Sequence, residues 1–237
     1  YFENVPAAGL TGAPIALTVT DVDNASSADS VNVNVRDNAP QIDNIAQAWV
    51  PAGDNDEPAT PELTIDVSAE TDADLLSQIR VDWGDGTSAT DTSIAGTGAG
   101  GTTVTLTKAA PYADSGTYTI TVTLEDEDSA TTDQLDVTVD NVAPTISLVE
   151  TTPVSPVIVT EGQNVSVRIT GTDPSQPDAN NLQFEVDWGD GTVDFANGAS
   201  TGNANEARAR FTHTYTDPSP SYTVTITLRD KDGGEDT

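Results

Sequence analysis

A seven-residue string occurs twice in the chain. Val81-Asp82-Trp83-Gly84-Asp85-Gly86-Thr87 returns as Val186-Asp187-Trp188-Gly189-Asp190-Gly191-Thr192, a step of about 105 residues. Other landmarks keep that step. Ala39-Pro40 returns as Ala143-Pro144, and Asp21-x-Asp23 returns as Asp126-x-Asp128 and Asp230-x-Asp232. A fixed period of one domain length means a tandem array. It divides the 237 residues into a leading fragment, 1–38, and two longer units, 39–141 and 142–237, with the Ala-Pro pairs opening each unit. Units of this size bury a core without staples, and no Cys is present to supply disulfides or thiolate metal ligands.

Within each unit the pattern is that of strands. Large apolar residues alternate with small or polar ones, Thr most often, in Ile15–Val19, Val31–Val35, Leu63–Val67, Tyr118–Leu124, Leu135–Val139, Val165–Ile169, Phe184–Trp188 and Tyr222–Leu228. Val and Thr suit a pleated, half-buried surface, and Gly, Pro, Asn and Asp punctuate the runs. No stretch reads as a helix beyond one turn at Asp74 to Gln78. Gly-rich Ile94–Thr103 and Asn197–Glu206 read as loops or frayed hairpins. Many short strands at even spacing predict an all-β chain of antiparallel β-sandwiches, one per unit, joined end to end through links of a few residues.

Trp83 and Trp188 sit inside alternating strands once per unit, so they are expected in the core. Gly84-Asp85-Gly86 and its copy are expected to form a turn, with Gly at positive φ and Asp bonding local amides. Trp49 has no aromatic counterpart in the next unit and is a candidate contact residue. His213, the single histidine, lies in the strand leading to Tyr215, and the preceding unit has no His there. A structural role is expected, since a triad needs His beside an acid and a nucleophile. Nothing marks a catalytic cleft, and the chain reads as non-enzymatic. Asn24-Ala25-Ser26 and Asn164-Val165-Ser166 match the glycosylation pattern, a short one that also arises by chance.

Trp-Gly-Asp-Gly-Thr, followed by Phe211-Thr212-His213-Thr214-Tyr215 and by Tyr222-Thr223-Val224-Thr225-Ile226-Thr227-Leu228-Arg229-Asp230, resembles a PKD (polycystic kidney disease) domain. The preceding unit carries the same order from Trp83 through Tyr112 to Tyr118–Leu124. The resemblance spans residues 39–237, and residues 1–38 resemble the closing part of a further copy. It implies immunoglobulin-like sandwiches of an extracellular or cell-surface protein, in surface-layer proteins, adhesins or accessory regions of secreted hydrolases. Both units are longer than is usual for that family.

Charge sets the partners. Asp and Glu number 39 against 8 Lys and Arg, for a net charge of −31. Nucleic acid and anionic membrane surfaces are poor partners for such a chain, and no apolar run approaches a membrane span. Cations are the natural ligands. In a sandwich of this topology the incoming linker, the B–C loop and the F–G loop gather at one end. For unit 39–141 that end collects Asp37, Asn38, Asp72, Asp74, Asp126 and Asp128. For unit 142–237 it collects Asp140, Asn141, Asp173, Asp178, Asp230 and Asp232. Such oxygen-only sets match Ca²⁺, which takes about 6–8 oxygen ligands. Asp37-Asn38-Ala39-Pro40 also resembles a cadherin linker, although the rest of the chain does not. The competing explanation is that Asp favours turns.

The expected function is therefore a structural or adhesive repeat segment, a stalk, surface-layer or filament building block stiffened by calcium at its junctions. Its partners would be neighbouring repeats or identical subunits, and possible contacts with surface polysaccharide or protein follow from the same reading. The alternative is a set of accessory polymer-binding or spacer modules of a secreted hydrolase. Residues 1–38 begin in mid-unit, and unit 142–237 stops before the counterpart of Leu135–Val139. Completion by further polypeptide, or by strand addition from another subunit, is expected on that ground.

Overall fold

A computed structural model describes residues 13–33, 39–69, 75–98, 100–155, 157–218 and 221–237. The chain is nearly all-β, as the alternation requires. Its elements are β1 (Ala13–Thr20), β2 (Ser26–Val33), β3 (Gln41–Trp49), β4 (Pro61–Ala69), β5 (Gln78–Asp82), β6 (Ser88–Asp91), β7 (Gly100–Thr107), β8 (Gly116–Glu125) and β9 (Ala130–Val139). They continue as β10 (Thr145–Thr152), β11 (Asn164–Thr172), α1 (Gln176–Ala179), β12 (Gln183–Asp187), β13 (Val193–Asn197), β14 (Ala199–Ser200), β15 (Glu206–Thr214), β16 (Thr225–Arg229) and β17 (Glu235–Asp236).

Two compact units are present. One comprises Tyr1–Gln47, Glu62–Thr107 and Thr119–Asp136; the other comprises Ala48–Pro61, Lys108–Tyr118 and Val137–Thr237. The second unit thus takes in two segments, 48–61 and 108–118, that lie in the preceding repeat in sequence.

Its sandwich consists of the sheets β10-β11-β15-β14 and β13-β12-β16-β17. Alternate residues of the two sheets meet in one core. Val165, Val167 and Ile169 of β11 and Ala207, Ala209 and Phe211 of β15 pack with Phe184 and Val186 of β12 and Leu228 of β16, around Leu182 and Trp188. The sheets β3-β4-β7 and β6-β5-β8-β9 have the corresponding strand order. There β4 buries Leu63, Ile65 and Val67, β5 buries Ile79 and Val81, and β8 buries Ile120, Val122 and Leu124. β1 and β2 form a separate antiparallel hairpin with Leu17 and Val19 exposed.

Trp83 and Trp188 are both buried, at 1% and 0% exposure. The turn after each has the form the sequence predicts. Gly84, Gly86, Gly189 and Gly191 all have positive φ. The Asp82 and Asp187 carboxylates accept the N–H groups of Gly84 and Gly189, while Asp85 and Asp190 accept those of Thr87 and Thr192. The first Gly of each pair has a second reason to lack a side chain: a Cβ on Gly84 would lie 2.6 Å from the Thr119 carbonyl oxygen, and one on Gly189 would strike that of Thr223. His213 is structural here, stacked on Trp188 with ring centroids 4.8 Å apart and set 2.7 Å from Asp190 Oδ2.

Three local readings differ from the structure. The sequence shows no helix in unit 142–237, yet α1 forms one turn there. Ser175 caps it by accepting the Asp178 N–H at 3.3 Å, and Pro177 falls where no amide is needed. Gly100–Thr103 belongs to β7, and Ala199–Ser200 pairs with β15, because both Gly-rich stretches find strand partners. Trp49, the candidate contact residue, is half-buried.

The paired glycines separate two costs. Gly191→Ala, where a Cβ meets nothing within 4 Å, should cost about 1–2 kcal/mol for its backbone conformation alone. Gly189→Ala adds a backbone clash and should cost about 3 kcal/mol or more. Urea unfolding followed by Trp fluorescence measures both; equal losses would contradict the close-approach argument.

Candidate metal centre

The site lies wholly in the second compact unit, at the end where α1 and the turn before β17 meet. Asp173 and Asp178 flank the start of α1. Asp173 Oδ1 accepts the Ser175 N–H at 2.8 Å, and the turn of helix carries Asp178 inward to 0% exposure. Asp230 closes the loop after β16, with Oδ1 accepting the N–H groups of Asp232 and Gly234, each at 2.8 Å. Asn141 reaches Asp230 Oδ2 through Nδ2 at 3.0 Å. Gly234 permits this packing, since a Cβ there would run into Asp230, Asn141 and Ala143.

A residue the sequence pattern does not mark completes the cluster. Glu57 is 2% exposed. Its N–H donates to the Asp140 carbonyl at 3.0 Å, and its Oε1 accepts the Val142 N–H at 3.3 Å. Carboxylate oxygens of Glu57, Asp173 and Asp178 lie within 4.8 Å of one another. Glu57 Oε2, Asp173 Oδ2, Asp178 Oδ2 and Asn141 Oδ1 are buried and, unless Glu57 carries a proton toward Asp178, receive no hydrogen bond from the described residues. The one ammonium nearby is Lys231, whose Nζ lies 2.9 Å from Asp178 Oδ1 and 2.6 Å from Asp114 Oδ1 and also bonds Asp232.

Of the residues expected at this end, Asp173, Asp178, Asp230 and Asn141 thus come together. Asp232 faces Lys231 instead. Asp140 is exposed and contributes its backbone, which holds Glu57 through the bridge between Asp56 and Asp140. Of the other expected set, Asp37, Asn38, Asp72 and Asp74 lie outside the described residues. Asp126 and Asp128 form a turn in the first compact unit, where Asp126 Oδ1 accepts the N–H groups of Asp128 at 3.1 Å and Ser129 at 2.6 Å. Asp21 makes the same turn with Asp23 and Ala25. The first Asp of each Asp-x-Asp therefore has a structural duty whatever else it binds.

Burial governs the charges. It pushes the Glu57 carboxyl up from 4.5 to about 8, aided by hydrogen bonding to Asp178 and by repulsion from Asp178 and Asp173, against the Val142 N–H. Burial also raises Asp173 from 3.8 to about 6, opposed by the Ser175 N–H. A proton kept on Glu57 is how the fold offsets this crowding of buried carboxyls. The oxygens left without donors are hard ligands. They fit Ca²⁺ or Mg²⁺ and suit soft metals poorly.

Residues 141–237 match the family model of the PKD domain. PKD domains are non-catalytic, immunoglobulin-like modules that typically occur in extracellular proteins. No curated protein matches the chain. Among the described residues no helix is long and apolar enough to cross a membrane.

The raised carboxyls fix the direction of a pH effect. Without metal, the folded state keeps protons on Glu57 and Asp173 that the unfolded chain releases near 4.5 and 3.8. Their contribution is present in full below those values and is lost as pH rises toward about 8. Asp91, Asp190 and Asp232 are shifted the other way, by the N–H groups of Ser93 and Thr192 and by Lys231 respectively, and act only below about pH 4. In chelator, Tm should therefore fall between pH 5 and pH 8, and Glu57→Gln should flatten the fall. A melting temperature that rises across that window would contradict the assignment.

Proposed function

We propose that this chain is a non-enzymatic structural or adhesive segment of an extracellular or cell-surface protein, built from tandem PKD-like repeats at 39–141 and 142–237. Residues 1–38 are the closing part of a further repeat. The segment acts as a stalk, surface-layer or filament element whose neighbours are other repeats or identical subunits.

A divalent cation, Ca²⁺ by the chemistry of the donors, binds at Glu57, Asp173 and Asp178, with Asn141 and Asp230 beside them. The observation that carries this reading is the set of buried carboxylate oxygens without donors. Glu57 comes from repeat 39–141 and the others from the linker and repeat 142–237, so an ion held by all of them ties the two stretches of chain together. Without the ion these carboxylates repel or hold protons. With it, segment 48–61 is locked to the start of α1. The corresponding end of repeat 39–141, with Asp37, Asn38, Asp72, Asp74, Asp126 and Asp128, is proposed to bind an ion in the same manner.

The accessory-module alternative calls for an exposed aromatic row that stacks on a polymer. Among the described residues the one strongly exposed aromatic is Phe195, at 71%, and a single ring favours the structural reading.

Calcium should raise Tm at pH 7.5, by the equivalent of about 2.7 kcal/mol at a hundredfold excess over Kd. Asp178→Asn should abolish that rise. A calcium shift that survives in Asp178→Asn, or no shift in the parent at millimolar calcium, would overturn the assignment.

A further inference from the structure

We propose that Lys231 is a tethered cation that fills one of two acid pockets sharing Asp178, limiting this end of the unit to a single divalent ion. Removing its ammonium would open Asp114, Asp178 and Asp232 as a second ion site. The inference rests on the divalent-ion reading above and extends it to ion number.

Two triads of carboxylates meet at one side chain. Glu57, Asp173 and Asp178 form the first, and Asp114, Asp178 and Asp232 form the second; in each, one oxygen per residue lies within 4.8 Å of the others. Asp178, with no exposed surface, belongs to both. The triads differ in one respect: the second already contains a cation. Lys231 Nζ lies 2.6 Å from Asp114 Oδ1 and 2.9 Å from Asp178 Oδ1 and bonds Asp232 Oδ2 as well.

An ammonium has three N–H donors and no acceptor. Lys231 directs them at the three members of the second triad, leaving none for Glu57 or Asp173. Burial works against its charge, but the hydrogen bonds to Asp114, Asp232 and Asp178 outweigh it and hold the ammonium above its ordinary range. Ser115 supports the pocket through a hydrogen bond from Oγ to Asp232 Oδ2 at 3.1 Å. The first triad has no such occupant, and its inner oxygens, Glu57 Oε2 and Asp173 Oδ2, are buried without donors.

The sequence marks this arrangement as particular to one repeat. The central residue of the three Asp-x-Asp turns is Val22, Glu127 and Lys231 in turn. At the equivalent position the preceding repeat carries a carboxylate where this one carries an ammonium. The tethered charge thus distinguishes otherwise similar loops.

The test is to count calcium ions bound per chain by isothermal titration, using the full 237-residue chain with Ca²⁺ as the probe. Asp178→Asn should bind one ion fewer than the parent. Lys231→Gln should bind one more, Lys231→Arg the same number, and Asp114→Asn should erase the gain in the Lys231→Gln background while leaving the parent count unchanged. Equal counts for Lys231→Gln and the parent would overturn the proposal. So would a loss of two ions in Asp178→Asn, a comparison that needs no Lys231 variant to fold. If Asp178→Asn loses no ion, the divalent-ion reading itself fails, an outcome distinct from either of these.

Discussion

Three carboxyl groups, Glu57, Asp173 and Asp178, are withdrawn from water within a few ångströms of one another, and this shapes the whole end of the second unit. A buried carboxylate is costly unless hydrogen bonds or a counter-charge offset it. Backbone amides offset part of the cost: the Ser175 N–H serves Asp173, and the Val142 N–H serves Glu57. Lys231 serves the outer side of Asp178. On the inner side, burial pushes the Glu57 carboxyl up to about 8, so that it keeps its proton near neutral pH. A divalent cation would do the same work with more charge and more ligands.

The sandwich makes this burial possible by supplying a rigid frame. Alternation along β11, β12, β15 and β16 packs a core around Trp188 and leaves the loop ends to be set by turn chemistry. At one end, Trp-Gly-Asp-Gly-Thr closes on itself and brings the chain against the Thr223 carbonyl, where only Gly fits. At the other, the one-turn helix α1 and the Asp230 turn aim side chains at each other. The aromatic series Trp188, His213, Tyr215 and Tyr222, with centroids of successive rings 4.4–4.8 Å apart, braces the first of these ends: Trp188 stacks on His213 and Tyr215 on Tyr222, while His213 meets Tyr215 edge-on.

Much of this was legible before the structure. Period-two alternation identified the strands, and recurrence placed Trp83 and Trp188 in the core. The expectation that linker, B–C and F–G residues share one end put Asn141, Asp173, Asp178 and Asp230 together. What sequence could not supply came from contacts without a local signal. Glu57 has no repeated counterpart in the pattern, and its burial depends on a backbone bridge between Asp56 and Asp140, far apart in the chain. Helix α1 is too short to show a 3.6-residue period, although Ser175 and Pro177 were its available signals. Lys231 stood in the sequence as the centre of an Asp-x-Asp turn, but which way its long side chain would reach depended on Asp114, more than a hundred residues earlier.

Diffraction from crystals of the chain grown with calcium, read through the anomalous signal of the ion, tests the central claim most directly. The account predicts one peak among Glu57, Asp173 and Asp178, with oxygen ligands at about 2.3–2.6 Å, and Lys231 still bonded to Asp114 and Asp232. No peak there at saturating calcium, with Glu57 and Asp178 remaining in direct contact, would contradict it.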